Sequence, residues 1–96
     1  MSGLTGEEAR AAAAAWLDEL AHRRRVRPLT LESYGHDLAA LLSLAGAAPL
    51  DKLKHHDIRR FVAQLHGRGL SGRSLARVLS AWRGFFNWLA RGHGVT

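Results

Sequence analysis

The chain has 96 residues, a net charge of +6 at pH 7 with histidines neutral, 47% hydrophobic residues and no cysteine. This length supports one domain with one modest core, and the lack of cysteine excludes disulfides, thiolate metal ligands and a cysteine nucleophile. No apolar run approaches the ~20 residues that span a bilayer. The charge is unevenly divided: residues 1–50 hold 5 basic and 6 acidic groups, whereas residues 51–96 hold 9 basic and 2 acidic. A cationic second half favours a polyanionic partner, and nucleic acid over membrane, because no segment pairs a basic face with an apolar face left uncovered. The Ala11 to Ala15 run does not read as a secretory leader, since Glu7 and Glu8 precede it and Asp18 and Glu19 follow it, and a leader wants a positive start. A cytoplasmic location is expected.

Thr5 followed by Glu8 has the spacing of a capping box and predicts a first helix over about 6–24. Ala9, Ala12, Ala13, Trp16, Leu17 and Leu20 recur along it at helical spacing. His22 to Arg25 put positive charge at its carboxyl end, where the dipole favours it. Pro28 interrupts the chain, and Thr30 is read as N-cap of a second helix over about 31–45. Leu31, Tyr34, Leu38, Leu41 and Leu42 share a face of that helix, and Gly46 ends it. Beyond Pro49, the spacing of Ile58, Phe61, Val62 and Leu65 predicts a third helix over about 55–66, with Asp57 in its first turn. Gly67 and Gly69 supply a tight turn, Ser71 caps a fourth helix over about 72–91, and Gly92 is placed to close it. Residues 92–96 read as the start of a linker to a further domain, and 1–96 otherwise as a single domain. No segment alternates as a strand does, so the fold class is all-α, a four-helix bundle.

Advancing about 100° per residue, the fourth helix places Leu75, Val78, Leu79, Trp82, Phe86 and Leu89 on one side and Arg73, Arg77, Ser80, Gly84, Asn87 and Arg91 on the other. The first stripe is assigned to the core and the second to a polyanion. Trp16, Phe61, Trp82, Phe85 and Phe86 are assigned to the core, because a domain this small needs its large apolar groups inside. Trp88 falls between the stripes, with helix one or a neighbouring domain's linker as its packing partner. No two histidines stand three or four residues apart, which disfavours zinc, and no Ser, His and carboxylate group at an informative spacing. No cofactor, metal or catalytic residue is expected.

Three segments carry a family resemblance: Leu29-Thr30-Leu31-Glu32-Ser33-Tyr34-Gly35-His36-Asp37-Leu38, then Asp57-Ile58-Arg59-Arg60-Phe61, then Gly69-Leu70-Ser71 leading through Ser74-Leu75-Ala76-Arg77 to Leu79-Ser80-Ala81-Trp82-Arg83-Gly84-Phe85-Phe86-Asn87-Trp88-Leu89. In order and spacing they resemble the N-terminal core-binding, SAM-like domain of tyrosine recombinases, the phage-integrase and Xer group, from about Ala14 to Val95. The last segment is most similar to the Xer branch. The resemblance implies two crossed helical hairpins forming half of a C-shaped clamp on double-stranded DNA. It also implies a C-terminal catalytic domain holding the nucleophilic tyrosine with its arginine, lysine and histidine or tryptophan partners, and a second recombinase in a synaptic tetramer. The only tyrosine here is Tyr34, on the core side of helix two, and there is no second tyrosine for a His-x-x-Arg box to accompany. By itself the chain is expected not to be an enzyme.

A rigid line of arginines neutralises duplex phosphates and releases counterions. Arg73 and Arg77, one turn apart, supply such a line and can also reach guanine edges in the major groove. The free N–H groups at the start of helix four suit a phosphate near Ser71. Carried over position by position, the resemblance implies DNA contacts from Arg73, Ser74 and Arg77 and from Thr30, Ser33 and His36. Capping alone also accounts for Thr30 and Ser71, and surface polarity for Ser33 and His36. Arg25 and Arg27 belong to a solvated, dipole-compensating turn that can also track the DNA backbone. Two rival readings are a helical protein-interaction module with a basic face and a helix-turn-helix regulator. The first lacks a spare apolar groove in the sequence, and the second would not place its cationic helix last.

Overall fold

Regular structure among the described residues is entirely helical, as the periodicity requires: α1 (Gly6–His22), α2 (Pro28–Ala45), a 3-10 turn (Leu50–Lys52), α3 (His55–Gly67) and α4 (Gly72–Ala90). The computed structural model describes Leu4 and residues 6–92. Thr5 of the Thr5 and Glu8 capping box, and His93 to Thr96 of the expected linker, lie outside the described residues.

Helix α1 ends at His22, two residues short of the sequence expectation. Arg25 takes a left-handed φ of 53°, and the Val26 N–H turns back to the Leu20 carbonyl at 3.1 Å. Val26 thereby packs against the core. Helix α2 corrects the reading of Thr30 as N-cap. Its N-cap is Arg27, in extended backbone, with Pro28 in the first helical turn. The Leu31 N–H donates to the Arg27 carbonyl at 2.9 Å, so Thr30 already lies inside the helix. Pro28 starts this helix because its fixed φ suits the first turn and its missing N–H would have had no partner there.

Helices α1 and α2 form one hairpin, in which the Trp16 and Tyr34 rings stack with centroids 6.0 Å apart and planes 4° apart. Helices α3 and α4 form the other, with Phe61 edge-on to Trp82 at 6.4 Å. Trp16 reaches across both, lying 5.7 Å from Phe85. The molecule measures 35 × 34 × 19 Å, a slab about two helix diameters thick. Its innermost side chains are Trp82, Phe61, Phe85, Leu38, Leu41 and Leu50. Leu50 comes from the 3-10 turn, which is tied to the chain start: the Leu4 N–H donates to Asp51 Oδ1 at 2.9 Å and the Leu50 N–H to the Leu4 carbonyl at 2.9 Å.

The buried stripe of α4 is turned from the one drawn by periodicity. Val78, Ala81, Trp82, Phe85, Trp88 and Leu89 are buried, while Leu75, Leu79 and Phe86 are half-buried. The cause is the crossing of α1 over α4 at Gly84, where a Cβ would stand 2.9 Å from Trp16 Cζ2. Gly84 therefore belongs to a helix contact rather than to a solvent-facing stripe. Trp88 joins the core, stacked near Phe85 at 6.3 Å.

Candidate nucleic-acid interface

The first turn of α4 is placed by two linked caps. At the end of α3, the Leu70 N–H donates to the Leu65 carbonyl at 3.2 Å and the Gly69 N–H to the His66 carbonyl at 3.0 Å. This is the Schellman arrangement. Its left-handed residue is Gly69, at φ 101°, a conformation that glycine takes without Cβ strain. Two residues later the Ser71 hydroxyl accepts from the Ser74 N–H at 3.2 Å and donates to the Ser74 hydroxyl at 3.2 Å. The Gly72 and Arg73 N–H groups point out of the helix start with no intrahelical acceptor to meet. Helix α4 contains no Asp or Glu of its own, so at this end the helix dipole adds to the positive charge of Arg73. Arg73 is exposed and forms no ion pair among the described residues.

Arg77 is placed differently. Its Nε donates to Asp37 Oδ2 at 3.0 Å and its Nη2 to Asp37 Oδ1 at 2.7 Å. Asp37, on α2, is 3% exposed and the only buried charged residue among those described. The Arg77 side chain remains 41% exposed. Hydrogen bonds to the Asp37 carboxylate raise the guanidinium pKa above its ordinary value, against the opposing effect of burial. Trp82 completes the junction, donating from Nε1 to the Asp37 backbone carbonyl at 2.8 Å. Arg77 is thus both an outward-reaching cation and the partner that makes a buried carboxylate tolerable, since an unpaired buried charge is strongly unfavourable.

The remaining sequence candidates are more dispersed. Ser33 lies one turn before Asp37 and is half-buried, as is Thr30; His36, Arg25 and Arg27 are exposed. Among the described residues no hydrogen bond or ion pair joins these five to Ser71, Arg73, Ser74 or Arg77. The cationic stripe is shorter than drawn, because Gly84 under Trp16 interrupts it and leaves Arg73 and Arg77 as its first two turns. Sequence reasoning passed over Asp37, although a carboxylate on the face shared by Tyr34, Leu38 and Leu41 needs a partner. It also passed over exposed Arg83 and over Leu29, 77% exposed at the start of α2.

Among the described residues no helix is long and apolar enough to cross a membrane, and no three His, Asp or Glu side chains gather as a metal site. The family described as phage integrase, N-terminal SAM-like domain, matches residues 13–93. Tyrosine recombinase XerC of Ralstonia pickettii (strain 12J) is 56% identical over 81 residues, covering 80% of this chain and 25% of the relative. Tyrosine recombinase XerC of Methylobacterium nodulans is 46% identical over an alignment of 100 residues, covering 96% of this chain and 31% of the relative. The protein of that name from Pseudomonas aeruginosa (strain LESB58) is 45% identical over 80 residues, covering 80% and 26%. The chain spans about a quarter to a third of the length of these curated relatives. No solved structure matches it.

Proposed function

The chain belongs to the phage integrase N-terminal SAM-like domain family, and on that footing we propose that it is the DNA-clamping, core-binding domain of an Xer-type tyrosine recombinase, most like XerC. It positions the duplex at a dif-like recombination site for chromosome dimer resolution or DNA integration. Residues 1–96 act as one domain, with 92–96 leading to a C-terminal catalytic domain that cuts and rejoins the strands. The working partners are double-stranded DNA, that catalytic domain and a XerD-like recombinase in a synaptic tetramer, in the cytoplasm. The domain contributes positioning rather than chemistry.

The observation that carries this reading is the start of α4, a rigid, doubly capped turn presenting exposed Arg73 on a helix without a single carboxylate. Phosphate oxygens suit such a turn, because they meet free N–H groups, a positive dipole end and a guanidinium at once. Ser71, Ser74 and Arg77 flank it, and Thr30, Ser33, His36, Arg25 and Arg27 supply contacts from the first half of α2 and the turn before it.

Fluorescence anisotropy on a labelled duplex tests this. Wild-type affinity should fall linearly on a log–log plot against salt, and Arg73→Ala should weaken binding and lower the slope by about one with the melting curve unchanged. Equal binding by Arg73→Ala refutes the assignment of α4. Binding to anionic vesicles or acidic peptides with none to duplex refutes the function.

A further inference from the structure

We infer that Arg77 is a guanine-reading fork held in its reading orientation by Asp37, a positioning residue on the neighbouring helix. The inference rests on the duplex-binding reading above and adds to it the base that is read and the device that reads it.

Asp37 takes the side edge of the guanidinium, the Nε–H at 3.0 Å and one Nη2–H at 2.7 Å. What remains is the end edge, a parallel pair of N–H donors from Nη1 and Nη2, with no acceptor among the described residues. That pair matches the O6 and N7 acceptors of guanine in the major groove. Adenine offers N7 but places a donor beside it, cytosine offers a donor, and thymine one acceptor and a methyl group. A phosphate also accepts two donors, but phosphates repeat along every duplex and impose no base preference.

The pairing has a cost that core packing does not explain. Position 37 lies on the buried face of α2, next to Leu38 and one turn from Leu41, where an apolar side chain would extend the core. A buried ion pair is often no better for stability than an apolar pair of similar volume. It does freeze the long arginine side chain at folding, so that rotamer entropy is not lost again on binding. It also compensates the charge of Arg77. The two arginines of the stripe then divide the work: Arg73, uncompensated, supplies salt-dependent affinity, and Arg77, compensated and fixed, supplies base preference.

Selection of duplexes from a randomised pool at low salt, with the 96-residue chain and its variants, tests this. Wild type should enrich guanine at one position, and a duplex bearing adenine there should bind about 5- to 150-fold more weakly. Arg77→Lys keeps a cation opposite Asp37 but lacks the fork, and should bring that ratio near one. Asp37→Asn should do the same; Asp37→Glu, which keeps the charge and displaces the guanidinium, replaces it if melting shows the asparagine variant unfolded. Arg73→Ala should weaken all duplexes and keep the ratio. Placing 7-deazaguanine at the selected position should weaken wild type and leave Arg77→Lys unaffected. A guanine preference that persists in Arg77→Lys or in the folded Asp37 variants overturns the inference, as does wild-type binding without base preference. Failure of wild type to bind any duplex overturns the proposed function itself.

Discussion

Alanine at Gly84 should destabilise the domain, although the same substitution normally strengthens a helix. Gly84 lies within α4, where glycine costs about 1 kcal/mol relative to alanine through backbone entropy. Its missing Cβ is the space occupied by Trp16: an ideal Cβ stands 2.9 Å from Cζ2 and 3.3 Å from Cη2. The indole is 5% exposed, stacked on Tyr34 and packed against Phe85, so relief requires α1 and α4 to move apart. Overpacking of this kind costs about 1–3 kcal/mol, and the propensity gain offsets about 1 of it. The expected net loss is about 1 kcal/mol, or roughly 4–8 °C in Tm for a domain of this size. Gly35 is the matched control, since it lies within α2 and its Cβ would meet Leu17 Cδ1 at 3.8 Å, an ordinary contact. Gly35→Ala should therefore raise Tm, with a gain of about 0.5–1 kcal/mol. Thermal melts followed by far-UV circular dichroism measure both. If Gly84→Ala melts as high as Gly35→Ala, the close α1–α4 crossing is wrong.

Arg77→Ala should destabilise by about 3 kcal/mol, the lower end of the range for breaking a buried pair, because it leaves the Asp37 carboxylate unpaired while solvent still reaches the site. Urea unfolding reads this, and the double variant Asp37→Leu with Arg77→Met should recover most of the loss; a single variant as stable as wild type refutes the pairing. Acid should reveal a different carboxylate, Asp57, whose pKa lies below its ordinary 3.8, chiefly through the hydrogen bond from the Lys54 N–H and with help from His56 and Arg60 against partial desolvation. That bond measures 2.9 Å and serves one free N–H at the start of α3. Since folding lowers this pKa, its stabilisation is fully present above 3.8 and is lost as pH falls below that value through the folded-state pKa. The gap in urea midpoint between wild type and Asp57→Asn should thus be open at neutral pH and close in that acid window; a gap constant with pH refutes the role.

Much of the fold is legible residue by residue. Helix existence follows from the spacing of Ala9, Ala12, Ala13, Trp16 and Leu20, of Leu38 and Leu41, and of Phe61 and Leu65, all buried in the structure. The turn before α4 is equally legible, because Gly69 and Ser71 act through bonds to residues within six positions of themselves. Thr30 misleads because a good N-capping residue and a good first-turn proline stand two positions apart, and local chemistry alone does not rank them.

The sequence by itself determined the helices, the capped start of α4 and the cationic bias of the second half, because helix periodicity, capping and charge are short-range or additive properties of the chain. Only the tertiary structure decided the exact rotation of the buried stripe of α4, which takes in Ala81 and Trp88, that Gly84 is a contact with Trp16, and that Arg77 is paired with Asp37 forty positions away. Those outcomes depend on where α1 and α2 cross α4, and a helix's own periodicity leaves its rotation undetermined by about one residue until another helix covers it.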